Sequence, residues 1–231
     1  SGFSEAFRIA RNNLYHAIPG ARAKIIMLSS ASVGDGKSTV AANLARALAD
    51  DGKRVVLVDA DLRMGQLHHT LRLNQSPGLS DWLIDGEAVA MQTPDGQRFA
   101  VLPSGVKPPN PAELMNDPAL KEVLKTLRAS YDFIIFDTAP VPAVSDPLIL
   151  ARQADLILSV VHLGHTKHRD VAAHDAIMAT LAKRHGIIIN GTQAENSGYY
   201  DYVYGEEPAR SGAFQRLRTI FSTTMTKGRA A

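Results

Sequence analysis

The 231-residue chain contains no cysteine, which removes disulfide scaffolds and thiolate metal sites from consideration and fits a reducing compartment. No apolar run approaches the roughly 20 residues that span a bilayer, and the start shows no signal-peptide pattern. Charge of one sign is also scarce. Lys+Arg number 25 against 23 Asp+Glu, a formal net charge of only +2, so the average charge gives no argument for a nucleic-acid partner. Tryptophan occurs once, and no internal repeat or low-complexity linker interrupts the chain. What remains, 45% hydrophobic and 21% charged, is the composition of one sizeable globular domain with a real core. The chain opens Ser1-Gly2 without an initiator methionine, and we expect a fragment of a longer, membrane-anchored protein.

Short apolar runs alternate with helical patterns. Strands are expected at 24–28, 54–58, 99–102, 133–136, 156–161 and 186–189, and helices at 3–15, 38–49, 111–129 and 167–184. In the first helix Phe3, Phe7, Ala10 and Leu14 are spaced for one apolar side. Continuous apolar strands alternating with helices imply an α/β fold, a mostly parallel twisted sheet covered by helices on both faces. Ligands of such sheets bind outside the carboxyl ends of the strands.

The first run leads into Ala31-Ser32-Val33-Gly34-Asp35-Gly36-Lys37-Ser38-Thr39, a P-loop pattern with alanine at the usual first glycine. Glycines let a phosphate approach backbone amides, and the free N–H groups and dipole of the following helix favour the anion. Lys37 then reaches the β- and γ-phosphates and the Ser38 hydroxyl ligates magnesium. A Gly-rich turn that merely caps a helix fits less well, given strand before and helix after. Phe133-Ile134-Ile135-Phe136-Asp137 is an apolar strand delivering a carboxylate to the metal or its water shell, as a Walker B motif requires. Val55-Val56-Leu57-Val58-Asp59-Ala60-Asp61-Leu62-Arg63 places two carboxylates two residues apart, facing the same side if the strand continues. Alone that pattern is a solvated turn; beside the other two motifs it reads as functional.

These three segments resemble the Walker A, A′ and B motifs of bacterial tyrosine kinases, P-loop NTPase-fold enzymes unrelated to eukaryotic kinases. Lys107-Pro108-Pro109-Asn110-Pro111-Ala112-Glu113-Leu114 is similar to a Pro-Pro-Asn-Pro segment of that family. Glu5, Arg8 and Arg11 match its Glu-x-x-Arg-x-x-Arg assembly motif. Four of the six tyrosines, Tyr199, Tyr200, Tyr202 and Tyr204, resemble its C-terminal substrate cluster. The resemblance implies a kinase domain over residues 1–205, with the assembly helix at one end and the tyrosines at the other. It implies ATP and Mg2+ as cofactors, and Ser32, Val33, Gly34, Asp35, Gly36, Lys37, Ser38 and Thr39 around the nucleotide. A homo-oligomeric ring is implied too, with a membrane-anchored polysaccharide co-polymerase segment in cis or in trans and a cognate tyrosine phosphatase as partners. The implied location is the cytoplasmic face of the inner membrane, and the implied role is control of exopolysaccharide or capsule synthesis. Val33 and Ala139 replace prolines frequent in the family, and residues 206–231 exceed it.

Chromosome-partition and division-site ATPases share the architecture. Their signature lysine would fall at Ser32, which carries no charge, and a tyrosine cluster is foreign to them. A nucleotide-dependent scaffold without catalysis is the other alternative. Among remaining residues, Asn190 is a candidate adenine contact. His162, His165 and His168 straddle a strand end, a poor frame for a shared metal. Trp82 reads as helix packing and Asp146 as a helix cap. For chemistry, a phenol of pKa about 10 needs little deprotonation before a loose transition state, so one carboxylate accepting the proton late suffices. Lys37, Asp59, Asp61 and Asp137 are the catalytic set. Asp59 is the candidate base, the magnesium set is Ser38, Asp59 and Asp137, and the three aspartate roles are interchangeable at this level. In the tail, Phe214, Leu217, Ile220, Phe221 and Met225 share one helical side bordered by Arg216 and Arg218. Docking on the domain or disorder suits it better than weak membrane contact through residues 210–227.

Overall fold

The computed structural model describes residues 2–20, 22–141 and 146–192. Its elements are α1 Gly2–Ala17, β1 Lys24–Ser30, α2 Lys37–Asp50, β2 Val55–Asp59, α3 Leu67–Leu71, α4 Leu79–Asp85, β3 Ala100–Leu102, α5 Pro111–Met115, α6 Ala119–Ser130, β4 Phe133–Asp137, α7 Asp146–Gln153, β5 Leu156–His162, α8 His168–Ala179 and β6 His185–Asn190. The strands form one parallel sheet in the order β3-β2-β4-β1-β5-β6. The compact unit runs from Ser1 to Gly191. The tyrosine cluster, the rest of the expected 1–205 domain and the 206–231 tail lie outside the described residues.

Strands β1, β2 and β4 are buried at every position, as strands covered on both faces must be. Alternation then sorts their side chains into two cores. Ile25 and Met27 pack with Trp82, Leu124, Leu150 and Met178 under α4, α6, α7 and α8. Ile26 and Leu28 pack with Leu14, Leu44 and Leu48 under α1 and α2. Each such leucine contributes about 1.5–3 kcal/mol by leaving water. Phe7, Ala10 and Leu14 of α1 join the second core as their spacing predicts; the Phe3 side chain lies outside the described ones.

Two helices depart from expectation. The stretch 111–129 is two helices, α5 and α6, because Pro118 has no N–H to continue the ladder and its ring crowds the preceding turn. Asn116 N–H donates to the carbonyls of Ala112 and Glu113 to close α5, and Asp117 Oδ1 accepts from Ala119 N–H at 2.7 Å to open α6. The apolar period runs through the break, which hides it from a periodicity reading. The second helix ends at Ala179 rather than 184: Thr180 and Leu181 close a last turn, and Ala182 has φ +49°, left-handed and incompatible with a continuing helix.

Beyond that turn His185 rejoins His174 at a buried hydroxyl. Ser159 Oγ lies 2.6 Å from His174 Nε2 and 2.7 Å from His185 Nε2. One hydroxyl proton serves one ring, so the other ring donates. His174 Nδ1 is buried without a partner, and a bare acceptor is tolerated there better than an orphaned N–H. The His174 proton therefore sits on Nε2. Burial, and secondarily His185, push His174 down to about 4. The unfolded chain binds this proton below about pH 6.5 while the folded chain refuses it until about 4, so stability is full above that window and falls across it. Urea midpoints measured over that range should fall with acid, and His174→Gln should flatten the fall by about one proton. Equal slopes in both proteins would clear His174 of responsibility.

Candidate active site

The loop between β1 and α2 turns twice through left-handed backbone, at Gly34 (φ +87°) and Gly36 (φ +85°), where a side chain is strained. A Cβ on Gly36 would also stand 2.2 Å from Asn190 Nδ2. The loop thus keeps its inner wall as bare backbone, the form that a phosphate cradle needs. Lys37 opens α2, followed by half-buried Ser38 and exposed Thr39.

Register brings the acidic residues to the same place. In the β2–β4 ladder Asp59 is the Cα partner of Asp137, and in the β1–β4 ladder Leu28 is. Two carboxylates therefore end adjacent strands beside the first turn of α2. Lys37 Nζ donates to Asp137 Oδ1 at 2.8 Å, with both side chains largely buried. Asp59 has no such cation. It is fully buried, and its Oδ1 and Oδ2 accept from the Asp61 and Leu67 N–H groups at 3.3 and 3.1 Å. Burial first, and then the Asp137 charge, push Asp59 up to about 7. Gly65 packs directly on it: a Cβ there would stand 2.8 Å from Asp59 Oδ2 and 2.6 Å from Ser104 Oγ, a buried hydroxyl without a partner. Asp59 and Asp137, with the Ser38 hydroxyl next to Lys37 in the first turn of α2, are the oxygen donors that suit a hard divalent cation held largely through its own waters.

Some expectations need correction. Asp59 and Asp61 do not share one side of a strand, because β2 ends at Asp59. Asp61 lies in the turn beyond, partly exposed, its Oδ1 accepting from the Arg63 and Met64 N–H groups. Asp146 does not act as a free cap. Its carboxylate is gripped by Arg63, Nε to Oδ2 at 2.6 Å and Nη2 to Oδ1 at 3.2 Å. In the expected assembly motif Arg11 faces inward, pairing with Asp51 at 3.1 Å beside the Tyr15–Asp51 hydrogen bond. Glu5 and Arg8 pair locally at 3.2 Å toward solvent.

Asn190 Nδ2 donates to Asp35 O at 3.0 Å, holding the P-loop from the end of β6. His165 Nε2 donates to Val33 O at 3.1 Å, and its ring meets that of His162 edge-on, whereas His168 begins α8. Among the described residues no group of three or more His, Asp or Glu is placed to hold a metal directly. Trp82 is core packing. The Arg63–Asp146 fork and the loop after β5 escaped the sequence reading. Their signal was position alone, at the carboxyl edge of the sheet.

Known proteins match this arrangement. A family model described as an AAA domain covers residues 23–166. Tyrosine-protein kinase YwqD of Bacillus subtilis is 39% identical over 205 residues, 87% of this chain and 86% of that one. The chain belongs to the bacterial tyrosine-protein kinase family. Tyrosine-protein kinase wzc of Salmonella typhimurium is 34% identical over 87% of this chain, which spans 28% of that longer protein. The kinase domain of Escherichia coli tyrosine kinase ETK superposes with TM-score 0.78 at 28% identity, covering 90% of this chain and 79% of its own. The division-site competitor is more distant: MinD of Pyrococcus horikoshii, solved with Mg-ADP, superposes at TM-score 0.60 and 25% identity over 74% of this chain and 73% of its own. Its fold, shared here, is one that uses nucleotide and magnesium. No described helix is long and apolar enough to cross a membrane.

In this kinase the Arg63–Asp146 fork ties the turn carrying Asp61 to the start of α7. Arg63→Met and Asp146→Ala should each lower turnover roughly tenfold with nucleotide affinity nearly unchanged, and the double variant should be no worse than either. Losses that multiply would show two residues acting separately.

Proposed function

We propose that this tyrosine kinase domain transfers the γ-phosphoryl of ATP, with Mg2+, to Tyr199, Tyr200, Tyr202 and Tyr204 of another copy in a homo-oligomeric ring. The observation that carries the reading is the in-register Asp59–Asp137 pair set against Lys37 and the P-loop. The family resemblance supports a setting in exopolysaccharide or capsule export. It extends to a membrane-anchored co-polymerase segment in cis or in trans, and to a tyrosine phosphatase that resets the cluster.

Residues 32–39 hold the phosphates, Lys37 at the β and γ groups, with Ser38, Asp59 and Asp137 around the metal and its waters. Asn190, already on the P-loop edge, offers its remaining amide capacity to the adenine. When bound, Mg-ATP supplies an electrophilic phosphorus and a divalent charge that stabilises the leaving oxygen. The tyrosine oxygen forms the new P–O bond as the bond to the β-phosphate oxygen breaks. ADP leaves, and the phenol proton passes to a carboxylate. Asp59 suits that last role by its place at the end of β2, where no cation pairs with it as Lys37 pairs with Asp137. Its burial requires the turn at 60–67 to yield as the acceptor arrives, with Gly65 of that turn packed directly on its Oδ2. On the outer side of α1, Glu5 and Arg8 are the part of the expected assembly motif left to meet a neighbour, since Arg11 is spent on α2.

Phosphorylating four tyrosines adds roughly −6 to −8 charges, enough to drive the cluster from a site built of Asp59, Asp61 and Asp137 and to dissolve the ring. Incubated with Mg-ATP, wild type should acquire phosphotyrosine and Lys37→Met should not. Asp59→Asn should still bind nucleotide while transfer falls roughly 10²-fold. Lys37→Met mixed with a chain lacking residues 199–231 should become labelled, because neither partner can modify itself. An unlabelled mixture beside active wild type would mean transfer in cis. Light scattering before and after phosphatase should show the larger mass in the dephosphorylated protein, and identical masses would sink the switch.

A further inference from the structure

A P-loop exists to bind anions, yet the one in this chain contains a carboxylate of its own, Asp35, only 1% exposed. Burying an anion is costly without donors. Asp35 has two. Oδ2 accepts from Ser32 N–H at 2.9 Å, closing the loop on itself, and Oδ1 accepts from Thr166 Oγ1 at 2.7 Å. Thr166 belongs to neither the P-loop nor any acidic motif. It lies in the loop between β5 and α8, on the far side of β1 from Asp59 and Asp137.

The Thr166 hydroxyl is fully committed. It accepts from His162 N–H at 2.9 Å and faces two acceptors, Asp35 Oδ1 at 2.7 Å and His162 O at 3.1 Å. It has one proton to give, and the shorter contact to the charged oxygen takes it. The same side of the P-loop receives His165 on Val33 O and Asn190 on Asp35 O. Three side chains from the β5 and β6 ends thus hold successive parts of the loop, with Thr166 on its buried carboxylate.

We propose that Thr166 is a positioning residue for nucleotide binding: through the Asp35 carboxylate it fixes the P-loop in its phosphate-accepting shape before nucleotide arrives. The consequence falls on affinity rather than on chemistry. Thr166 is remote from the acidic pair, whereas a loop left to order itself on binding would lose affinity by the fraction of time it is competent. The inference rests on the ATP-binding reading above, and calorimetry separates the two. Wild type that takes up no Mg-ATP would end that reading; wild type that binds while the variants below match it would end only this one.

The variants are Thr166→Val, which keeps the shape and deletes the hydroxyl, and Thr166→Ser, which keeps the hydroxyl. Thr166→Val should weaken Mg-ATP binding and raise KM for ATP by roughly 10-fold or more, the scale of one hydrogen bond to a charged group. kcat at saturating ATP should stay within about twofold, and Thr166→Ser should restore affinity. Unchanged affinity in Thr166→Val, or a loss confined to kcat, overturns the proposal. A double-mutant cycle with Asp35→Ala holds even if the buried carboxylate makes Thr166→Val fragile. With Asp35 absent, Thr166→Val should cost no further affinity, and an undiminished cost in that background overturns the proposal as well.

Discussion

The constraint on which the site depends is the parallel register of β2 against β4, which makes Asp59 and Asp137 direct Cα partners. Each lies at the last residue of a strand buried along its whole length. A one-residue slip would turn alternate side chains to the opposite core, and the two cores are built from complementary sets that leave no room for it. Packing energy spread over dozens of apolar side chains thereby fixes the placement of two charges that repel. Lys37 neutralises one of them from the start of α2, while the other is left with its proton affinity raised to about 7. The fold holds this electrostatic strain because hydrophobic burial outweighs it many times over.

What the sequence made legible follows from that hierarchy. All six strands could be read because continuous apolar runs are themselves the cause of a doubly covered parallel sheet. The P-loop could be read because a phosphate cradle demands glycine at particular points, and Gly34 and Gly36 occupy left-handed backbone. Less legible was anything decided by one residue against a continuing pattern. Pro118 splits a helix whose apolar period does not pause, and β2 ends at Asp59, before the strand could reach Asp61 and align the two.

Least legible were contacts between loops far apart in sequence. Nothing local marks Asp146 as the partner of Arg63, 83 positions earlier, or Thr166 as the partner of Asp35, 131 positions earlier. Both pairs join loops at the carboxyl ends of different strands. They are held by charge-assisted hydrogen bonds whose geometry arises only after the sheet has assembled. Motif reading finds residues that touch substrate because chemistry restricts their type. It is blind to residues that hold those in place, for which many types at many positions would serve.

Helix α1 shows how far such holding reaches. Arg11 contacts the Ala47 carbonyl and Asp51 at the carboxyl-terminal end of α2, and Tyr15 O–H donates to Asp51 at 2.7 Å. Burial, then the Asp51 hydrogen bond, keep that phenol protonated well above its ordinary range. Helix α2 is 14 residues long and begins with Lys37. At about 1.5 Å per residue it forms a rod of roughly 21 Å from the phosphate site to the point where α1 grips it. Leu14 and Ile18 add apolar contact to the polar grip. The outward Glu5 and Arg8 therefore stand on a helix anchored to the P-loop helix itself. In the proposed ring, a force applied to α1 by a neighbouring copy would have a rigid element to act through, and a change in nucleotide at Lys37 would have the same element in reverse. Because binding linkage is reciprocal, any difference in α1 docking between nucleotide states would make assembly and nucleotide affinity two readings of one free energy.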